Sequence, residues 1–463
     1  MNGLPAPEIE AYDRANGSLL GLIRGEQCGS RSAASRRQRA EAKLARIRAI
    51  LTSLGNPQQG YPVVHVTGTS GKGSTAATIA AILTAAGYRV GLRTSPYLQV
   101  ATEKLQIGAS LIDALSFDVL VRRVLERAFL LYPPGQSGPR ITYAEAWSVL
   151  GYWWFAERRV DIAVVEVGAG GRFDATNVID PLISVITSVG LDHVVTLGPT
   201  IADIAWHKAG IIKPGSTAVV GDIPDSALAI IAREAKVVGA ELVHASAVVD
   251  SLPTHVLVPS GFQRRNAELA AAVVETLGPK GFDVPPVAKL EGIRSARLPG
   301  RLERMPGGAN PIVWIDGAHN ADKTSALAQE LLRISSGRPL PVIVLGVLDA
   351  KDPAAIVAGL RSVASSMVLT EPYVVGKRPF MAAGLGDILT ASGYDGGIHV
   401  EPNADLAILC AADIAWAGDA DVLVTGSMYL AGQVRRRWYA DEDIVIQRTP
   451  WPAASYERRL RAR

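Results

Sequence analysis

The sequence predicts an α/β protein with two domains, each built on a doubly wound, mostly parallel sheet. The chain has 463 residues, which is too long for one hydrophobic core. Short apolar runs alternate with helical stretches, the pattern of strands joined by crossover helices. This cycle starts again after residue 297, at the Leu298-Pro299-Gly300 break. We therefore expect a phosphate-loop sheet domain over residues 1–297 and a smaller Rossmann-like domain over 298–463.

Composition excludes several classes of protein. Hydrophobic residues make up 48% and charged residues 20% of the chain, so wholesale disorder is excluded. The net charge of +3 gives no reason to expect a nucleic-acid partner. Cys28 and Cys410 are too few for a disulfide scaffold or a cysteine-based zinc site. Neither a signal peptide nor a membrane span is visible. We expect a monomeric cytoplasmic protein that acts on small molecules and has no membrane partner.

The first domain opens with an amphipathic helix over Arg36–Leu54, whose apolar residues recur at spacings of three and four. Gly55-Asn56-Pro57 ends it. A buried strand is predicted at Val63–Val66, followed by a glycine-rich turn and a small-residue helix over Ser74–Ala86. Further strands of this domain are predicted at residues 89–92, 162–165 and 183–186.

The second domain is expected to repeat the same alternation. Apolar runs predict strands at residues 312–315, 342–345 and 422–424, and a helix is predicted around 324–332. In such sheets ligands bind beyond the carboxyl ends of the strands, so residues that follow each strand are candidates for a site.

The turn over residues 68–75 has the composition of a phosphate-binding loop. It lies between a strand and a helix, so its backbone N–H groups and the helix dipole can face a phosphate. Lys72 supplies a mobile cation, and Ser74 can offer a hydroxyl to Mg²⁺. Val66 replaces the first glycine of the usual pattern. The context favours nucleotide binding over a generic turn, with these candidate contacts: Thr69, Ser70, Gly71, Lys72, Gly73 and Ser74.

Further motifs follow in order along almost the whole chain. They are Ser95-Pro96-Tyr97-Leu98, Thr102-Glu103-Lys104, residues 166–177, Leu191-Asp192-His193, Lys208-Ala209-Gly210-Ile211, Pro299-Gly300-Arg301, and residues 316–320, 349–352 and 425–427. Together they resemble the folylpolyglutamate synthase/dihydrofolate synthase family of the Mur ligase superfamily. The resemblance implies an ATP-dependent ligase that joins L-glutamate to the carboxylate of dihydropteroate or of a folate, through an acyl phosphate. It also implies a Mur ligase-like central domain with an N-terminal helical segment, then a C-terminal ligase domain.

Metal ligands are expected at the carboxyl edge of the first sheet. Glu166 ends an apolar strand beside the phosphate loop, and carboxylate oxygen is a natural ligand for Mg²⁺. The resemblance implies that Ser95, Glu166 and His193 hold Mg²⁺, and that Ser74 serves a second, nucleotide-side ion. Imidazole is an unusual magnesium ligand, which leaves Mn²⁺ open. The alternatives are a solvated strand-end Glu and a structural His.

Lys208 is the position that family members often carry as a carbamate, which would make it a further metal ligand. An unmodified lysine that pairs with phosphate is the alternative. The resemblance makes Lys72, His193 and Lys208 the catalytic candidates. It also implies that Asn266, Arg301 and Asp316 contact ATP, with a site completed on domain closure.

Departures from the family pattern lie on the acceptor side. Tyr97 stands where His is usual, Ala144 where an aromatic residue is usual, and His207 where Glu is usual. The family's folate-contacting loop near the N-terminus has no counterpart, only a Ser/Arg-rich stretch. A different carboxylate acceptor therefore stays open, as does a non-catalytic nucleotide-binding regulator. The roles of His207, His319, Asp349, Lys351 and Ser427 are open.

Overall fold

The computed structural model describes residues 6–23, 33–135, 140–248, 261–307, 311–334 and 338–453. Contacts divide the chain into two compact units, one formed by Met1–Pro96 with Thr102–Arg297 and the other by Tyr97–Ala101 with Leu298–Arg463. Cys28 and most of the Ser/Arg-rich stretch lie outside the described residues. Within the described ranges, no helix has the length and apolar character needed to cross a membrane.

The first unit contains an eight-stranded sheet covered by helices. The strand order is β4-β3-β2-β5-β1-β6-β7-β8, and only the β2–β3 and β3–β4 pairs are antiparallel. Its elements are α1 (Pro7–Leu20), α2 (Ala33–Ser53), β1 (Val63–Thr67), α3 (Lys72–Ala85), β2 (Val90–Arg93), β3 (Leu105–Ile107), β4 (Ser110–Leu111), α4 (Ala114–Leu131), α5 (Tyr143–Glu157), β5 (Ile162–Glu166), β6 (Ile183–Ile186), α6 (Val194–Leu197), α7 (Ile201–Ala209), β7 (Thr217–Val220), α8 (Asp225–Val238), β8 (Glu241–His244), α9 (Phe262–Leu277) and α10 (Pro286–Ser295).

The second unit contains a six-stranded sheet in the order β13-β12-β11-β14-β10-β9, in which only the short β9 is antiparallel. Its elements are β9 (Glu303–Arg304), β10 (Val313–Ile315), α11 (Ala321–Ile334), β11 (Val342–Leu345), α12 (Pro353–Leu360), β12 (Ser366–Leu369), α13 (Ala382–Ala391), β13 (Gly397–Val400), α14 (Ala404–Ala417), β14 (Val422–Thr425), α15 (Met428–Arg435) and α16 (Asp441–Gln447). Residues Tyr97–Ala101 pack with this unit, and Leu98 is buried in its core.

Both sheets confirm the predicted fold class. Strands β1, β5 and β6 are buried at every position, which explains why they read as continuous apolar runs rather than alternating ones. The predicted strands and helices are found within two or three residues. The helix predicted from Ser74 begins earlier, at Lys72, because Gly71 adopts a left-handed conformation with φ 81° that turns the chain into it.

Strand register places the candidate site. β1 lies between β5 and β6, with Val66 opposite Glu166 and Thr67 opposite Ile186. Because all three strands are parallel, the phosphate loop, Glu166 and the residues after Ile186 emerge at one edge of the sheet.

Candidate active site

The phosphate loop, residues 68–75, is held in place by the segment that follows β6. The Thr187 hydroxyl donates to the Ser70 carbonyl at 2.5 Å, and the Ser70 amide donates to Ser188 Oγ at 2.9 Å. The Thr69 hydroxyl bonds to the Gly190 carbonyl at 3.0 Å. A Cβ on Gly68 would collide with Thr187, so only glycine allows this approach. Sequence analysis missed Thr187 and Ser188, although both follow a predicted strand.

Two side-chain hydroxyls of this loop are buried. Ser70 Oγ and Thr75 Oγ1 are buried and have no hydrogen-bond partner among the described residues. The Lys72 ammonium donates to the Gly68 carbonyl at 2.9 Å, so it lies over the loop. The Asn266 side chain packs directly against Gly71, which brings this predicted ATP contact to the loop.

Glu166 and Ser95 lie together at the end of β5. The Ser95 amide donates to Glu166 Oε2 at 2.7 Å, and Arg93 donates to the Glu166 carbonyl at 3.0 Å. Glu166 is only 3% exposed. Ser95 Oγ is buried and has no hydrogen-bond partner among the described residues, which is the state of an oxygen available to a ligand. The structure therefore brings together two of the predicted metal ligands.

His193 has a different environment. It adopts a left-handed conformation with φ 53° at the start of α6, and its side chain is 44% exposed. Its Nε2 lies 3.9 Å from Asp192 Oδ2. Across the described ranges, no group of three His, Cys, Asp or Glu side chains is arranged to hold a metal ion. His193 is thus not brought into such a cluster with Glu166.

Lys208 is buried near the end of α7. This helix starts with a capping box between Thr200 and Asp203. At its other end, the Arg172 amide donates to the His207 carbonyl at 2.6 Å. A Cβ on Gly171 would lie within 3.1 Å of the carbonyls of both His207 and Lys208, so this close approach requires glycine. Burial, reinforced by the charge of Arg172, lowers the pKa of His207, which keeps its ring neutral.

In the second unit, Asp316 organises the loop after β10. Its carboxylate accepts hydrogen bonds from the amides of Leu302 and Ala318, each at 2.7 Å. Burial raises the pKa of Asp316, although Arg301 and the two amides act against this. Arg301 Nη1 lies 3.1 Å from Met428 Sδ. The loop thus holds Asp316 and Arg301 in the same part of this unit.

His319 and Ser427 also have defined surroundings. His319 Nδ1 lies 2.7 Å from the Gly317 carbonyl and its Nε2 lies 3.1 Å from Lys323 Nζ. Since the carbonyl can only accept, Nδ1 carries the proton and the bare Nε2 accepts from Lys323. Ser427 Oγ caps α15 by accepting from the Tyr429 amide at 3.1 Å, which is a structural contact.

The start of α5 shows what surrounds the departure at Ala144. Ala144 is exposed, whereas Trp147 is fully buried and stacks on Phe117 with 5.5 Å between ring centroids. Lys104 Nζ lies 4.8 Å from the Trp147 ring centroid and 5.0 Å from that of Tyr143. Tyr143 is the half-buried aromatic residue next to Ala144.

Comparison with known proteins identifies the family. Residues 66–248 match the Mur ligase middle domain. The chain is 35% identical to the dihydrofolate synthase/folylpolyglutamate synthase of Mycobacterium tuberculosis, over 86% of this chain and 90% of that protein. It is 34% identical to the folylpolyglutamate synthase of Lacticaseibacillus casei, over 84% and 93%.

The fold agrees with these sequence matches. The M. tuberculosis folylpolyglutamate synthase structure complexed with ADP superposes with a TM-score of 0.82 at 31% identity, covering 94% of this chain and 99% of that one. The chain therefore shares its fold with this enzyme along almost its whole length. The chain belongs to the folylpolyglutamate synthase/dihydrofolate synthase family.

Proposed function

We propose that this protein is an ATP-dependent ligase that joins the amino group of L-glutamate to the carboxylate of a folate-type acceptor. The observation that carries the proposal is the register of β1 and β5, which presents the phosphate loop and the Glu166–Ser95 pair at one sheet edge. A phosphoryl group must move between two anions in this reaction, so cationic and hydrogen-bonding groups are needed where it moves.

The phosphate loop is the proposed ATP site. Its backbone and the start of α3 face the phosphates, and Lys72 neutralises charge as the terminal phosphoryl group is transferred. Asn266, packed on Gly71, is a proposed neighbour of the nucleotide. Arg301 and Asp316 stay proposed ATP contacts on the basis of the family resemblance.

The residues present fit Mg²⁺. Ser95 Oγ is buried and has no hydrogen-bond partner in the described part of the chain, and the amide of the same residue donates to the buried carboxylate of Glu166. These two oxygens, with Ser74 on the nucleotide side and His193 as a more exposed group, are the proposed metal ligands. When bound, Mg²⁺ supplies charge neutralisation at the transferring phosphate. Mn²⁺ is a proposed substitute because of the imidazole.

The proposed chemistry has two steps. The acceptor carboxylate attacks the γ-phosphorus of ATP, which forms an acyl phosphate and releases ADP. The uncharged amine of glutamate then attacks the acyl carbon and gives up a proton to solvent as the amide forms. The bond between the acyl carbon and the bridging oxygen breaks, and inorganic phosphate leaves with that former carboxylate oxygen. Buried Ser70 and Thr75 hydroxyls offer hydrogen bonds to phosphate oxygens on this path.

Lys208 is the proposed carbamate. Lys208 is buried on α7, and a carbamate would turn its side chain into an anion suited to a metal. His207, the next residue toward the N-terminus, is neutral and can donate a hydrogen bond to that anion.

The identity of the acceptor carboxylate is a separate part of the proposal. Dihydropteroate and folates that already carry glutamate are both proposed acceptors, as the names of the relatives support. Exposed Ala144 offers no aromatic wall beside Tyr143, which favours weaker discrimination for the pterin ring and keeps a benzoyl carboxylate as a second candidate. We further propose that the protein works in the cytoplasm as a monomer.

Phosphate release tests the function. We expect release that requires ATP, Mg²⁺, L-glutamate and a pterin acid together, and a Lys72→Met variant that retains less than about a hundredth of the activity because the transferred charge is no longer neutralised. Mass spectrometry of the product identifies the acceptor. Release without glutamate and acceptor, or normal turnover by Lys72→Met, would contradict the proposal.

A further inference from the structure

A buried chain of hydrogen bonds crosses from β1 to the loop after β5. His65 lies in the middle of β1 and is fully buried, and its Nε2 is 2.8 Å from Thr176 Oγ1. The Thr176 hydroxyl in turn donates to Asp174 Oδ1 at 2.7 Å. None of these side chains takes part in the reaction proposed above, so this row of hydrogen bonds needs its own explanation.

The donor of each hydrogen bond in this row can be assigned. A hydroxyl has one proton, and Thr176 gives it to Asp174, so His65 must donate its own Nε2–H to Thr176. Burial lowers the pKa of His65 to about 3, so the ring is neutral and Nδ1 carries no proton. Nδ1 is buried and without a hydrogen-bond partner among the described residues. His65 therefore donates to Thr176, and Thr176 donates to the carboxylate of Asp174.

Asp174 gathers the loop formed by residues 167–176, here called the Glu166 loop. Its Oδ1 also accepts from the Thr176 amide at 3.0 Å, and its Oδ2 accepts from the Ala169 amide at 3.1 Å. Burial alone would raise the pKa of Asp174, but Lys43 and the two Thr176 hydrogen bonds lower it overall. An ionised carboxylate thus joins the beginning of the loop to its end.

The same loop is tied to the phosphate loop and to Ser95. The hydroxyl of Thr67, the residue before the phosphate loop, donates to the Gly170 carbonyl at 2.5 Å. A Cβ on Gly168 would lie 3.1 Å from Asp174 Oδ2 and 3.9 Å from Ser95 Oγ, so these two groups flank Gly168. The position of Ser95 therefore depends on the backbone conformation of the Glu166 loop.

We propose that His65 and Thr176 are positioning residues that act through Asp174 to hold the Glu166 loop in the shape that sets Glu166 and Ser95 for metal and phosphate. The inference rests on the proposed function, because it assigns these residues to the metal side of that site. Hydrogen bonds behind metal ligands orient them, and their loss typically lowers metal affinity or activity about 10–100-fold.

A matched pair of variants tests the role. Thr176→Val keeps the shape of the side chain but removes the hydroxyl, whereas Thr176→Ser keeps the hydroxyl. We expect Thr176→Val to raise the Mg²⁺ concentration for half-maximal phosphate release and to lower kcat/KM about 10–100-fold. Thr176→Ser should recover most of both values. Thr276→Val removes a hydroxyl that, within the described ranges, hydrogen-bonds to the carbonyl of Val273 in its own helix, and this variant should behave like the wild type.

A spectroscopic measurement tests the chain independently of activity. The ¹⁵N resonances of His65 in the wild-type protein should show a protonated Nε2 and a bare Nδ1. A protonated Nδ1 would overturn the inference, as would a folded Thr176→Val variant with unchanged Mg²⁺ dependence and kcat/KM. If the wild type released phosphate without glutamate and acceptor, the proposed function would fail, while the His65 spectrum would still decide whether the chain exists.

Discussion

At the scale of single residues, the site depends on polar atoms that the surrounding protein leaves available. Ser95 Oγ and Ser70 Oγ are both buried without a hydrogen-bond partner among the described residues. An unsatisfied buried hydroxyl costs roughly 1–3 kcal/mol, so such groups collect where a ligand will satisfy them. Lys208 is also buried, and it gives the sharpest residue-scale prediction.

Lys208→Ala should lose most activity, because alanine has no amine that could carry the proposed carbamate. Short carboxylic acids such as acetate or formate should partly restore turnover by occupying the space that the side chain leaves. Rates measured with and without added acid test this, with chloride at equal ionic strength as the control. A ¹³C carbamate resonance from labelled bicarbonate should be present in the wild type and missing in the variant. Full activity of Lys208→Ala would sink the assignment.

At the scale of elements, a salt bridge joins the basic helix α2 to α5. Arg46 forms a salt bridge with Glu145 on α5, with 2.7 Å between Nη2 and Oε1, and the Glu145 side chain has no exposed surface. Glu145 also accepts from the Thr142 amide in a capping box at the start of α5. The ion pair thus joins α2 to the helix end that carries Tyr143 and Ala144. The apolar periodicity of α2 does not indicate that Arg46 pairs with a buried carboxylate on another helix.

Arg46→Met should lower the free energy of unfolding of the first unit by about 3–5 kcal/mol, because the buried carboxylate of Glu145 loses its cationic partner. Arg37→Met on the same helix breaks only an exposed pair with Glu41, and we expect a change of about 0–1 kcal/mol. Urea unfolding followed by circular dichroism compares the two. Equal effects of both substitutions would show that the Arg46–Glu145 pair contributes no more than a surface contact.

At the scale of the whole molecule, one buried arginine connects distant parts of the second unit. Arg435 is fully buried and donates to both carboxylate oxygens of Glu303, at 2.9 and 2.8 Å. It also donates to Gln99 Oε1 at 2.5 Å and to the Pro450 carbonyl at 2.7 Å. Glu303 accepts from the Gly300 amide at 2.8 Å as well. The cluster therefore holds Tyr97–Ala101 and the turn before Arg301 in one unit.

Replacing Arg435 with Met should loosen this unit as a whole, because the carboxylate of Glu303 loses its buried partner. We expect faster amide exchange in peptides that cover residues 97–101 and α16, and unchanged exchange in β1 of the first unit. Arg361→Met is the control, since its side chain is exposed and donates to the Ser392 carbonyl at 2.9 Å. Hydrogen-exchange mass spectrometry measures amide exchange in both variants. Unchanged exchange at residues 97–101 in Arg435→Met would contradict the proposed role.

The fold class, the positions of the strands and the family could be recognised from the sequence alone. Buried parallel strands must be apolar on both faces, and a phosphate loop needs glycines at fixed positions, so both features are visible residue by residue. Glu166 ends its strand as predicted, and the phosphate loop lies between β1 and α3.

Which distant residues come into contact depends on the tertiary structure. Thr187 reaches Ser70 and His65 reaches Thr176 only because β1, β5 and β6 are neighbours in the sheet, and single hydroxyls or imidazoles leave no pattern in a sequence. Likewise, nothing near Tyr97–Ala101 in the sequence shows that this segment packs with residues two hundred or more positions later. Hydrogen bonds between side chains depend on contact in space, and such contacts are not periodic along the chain.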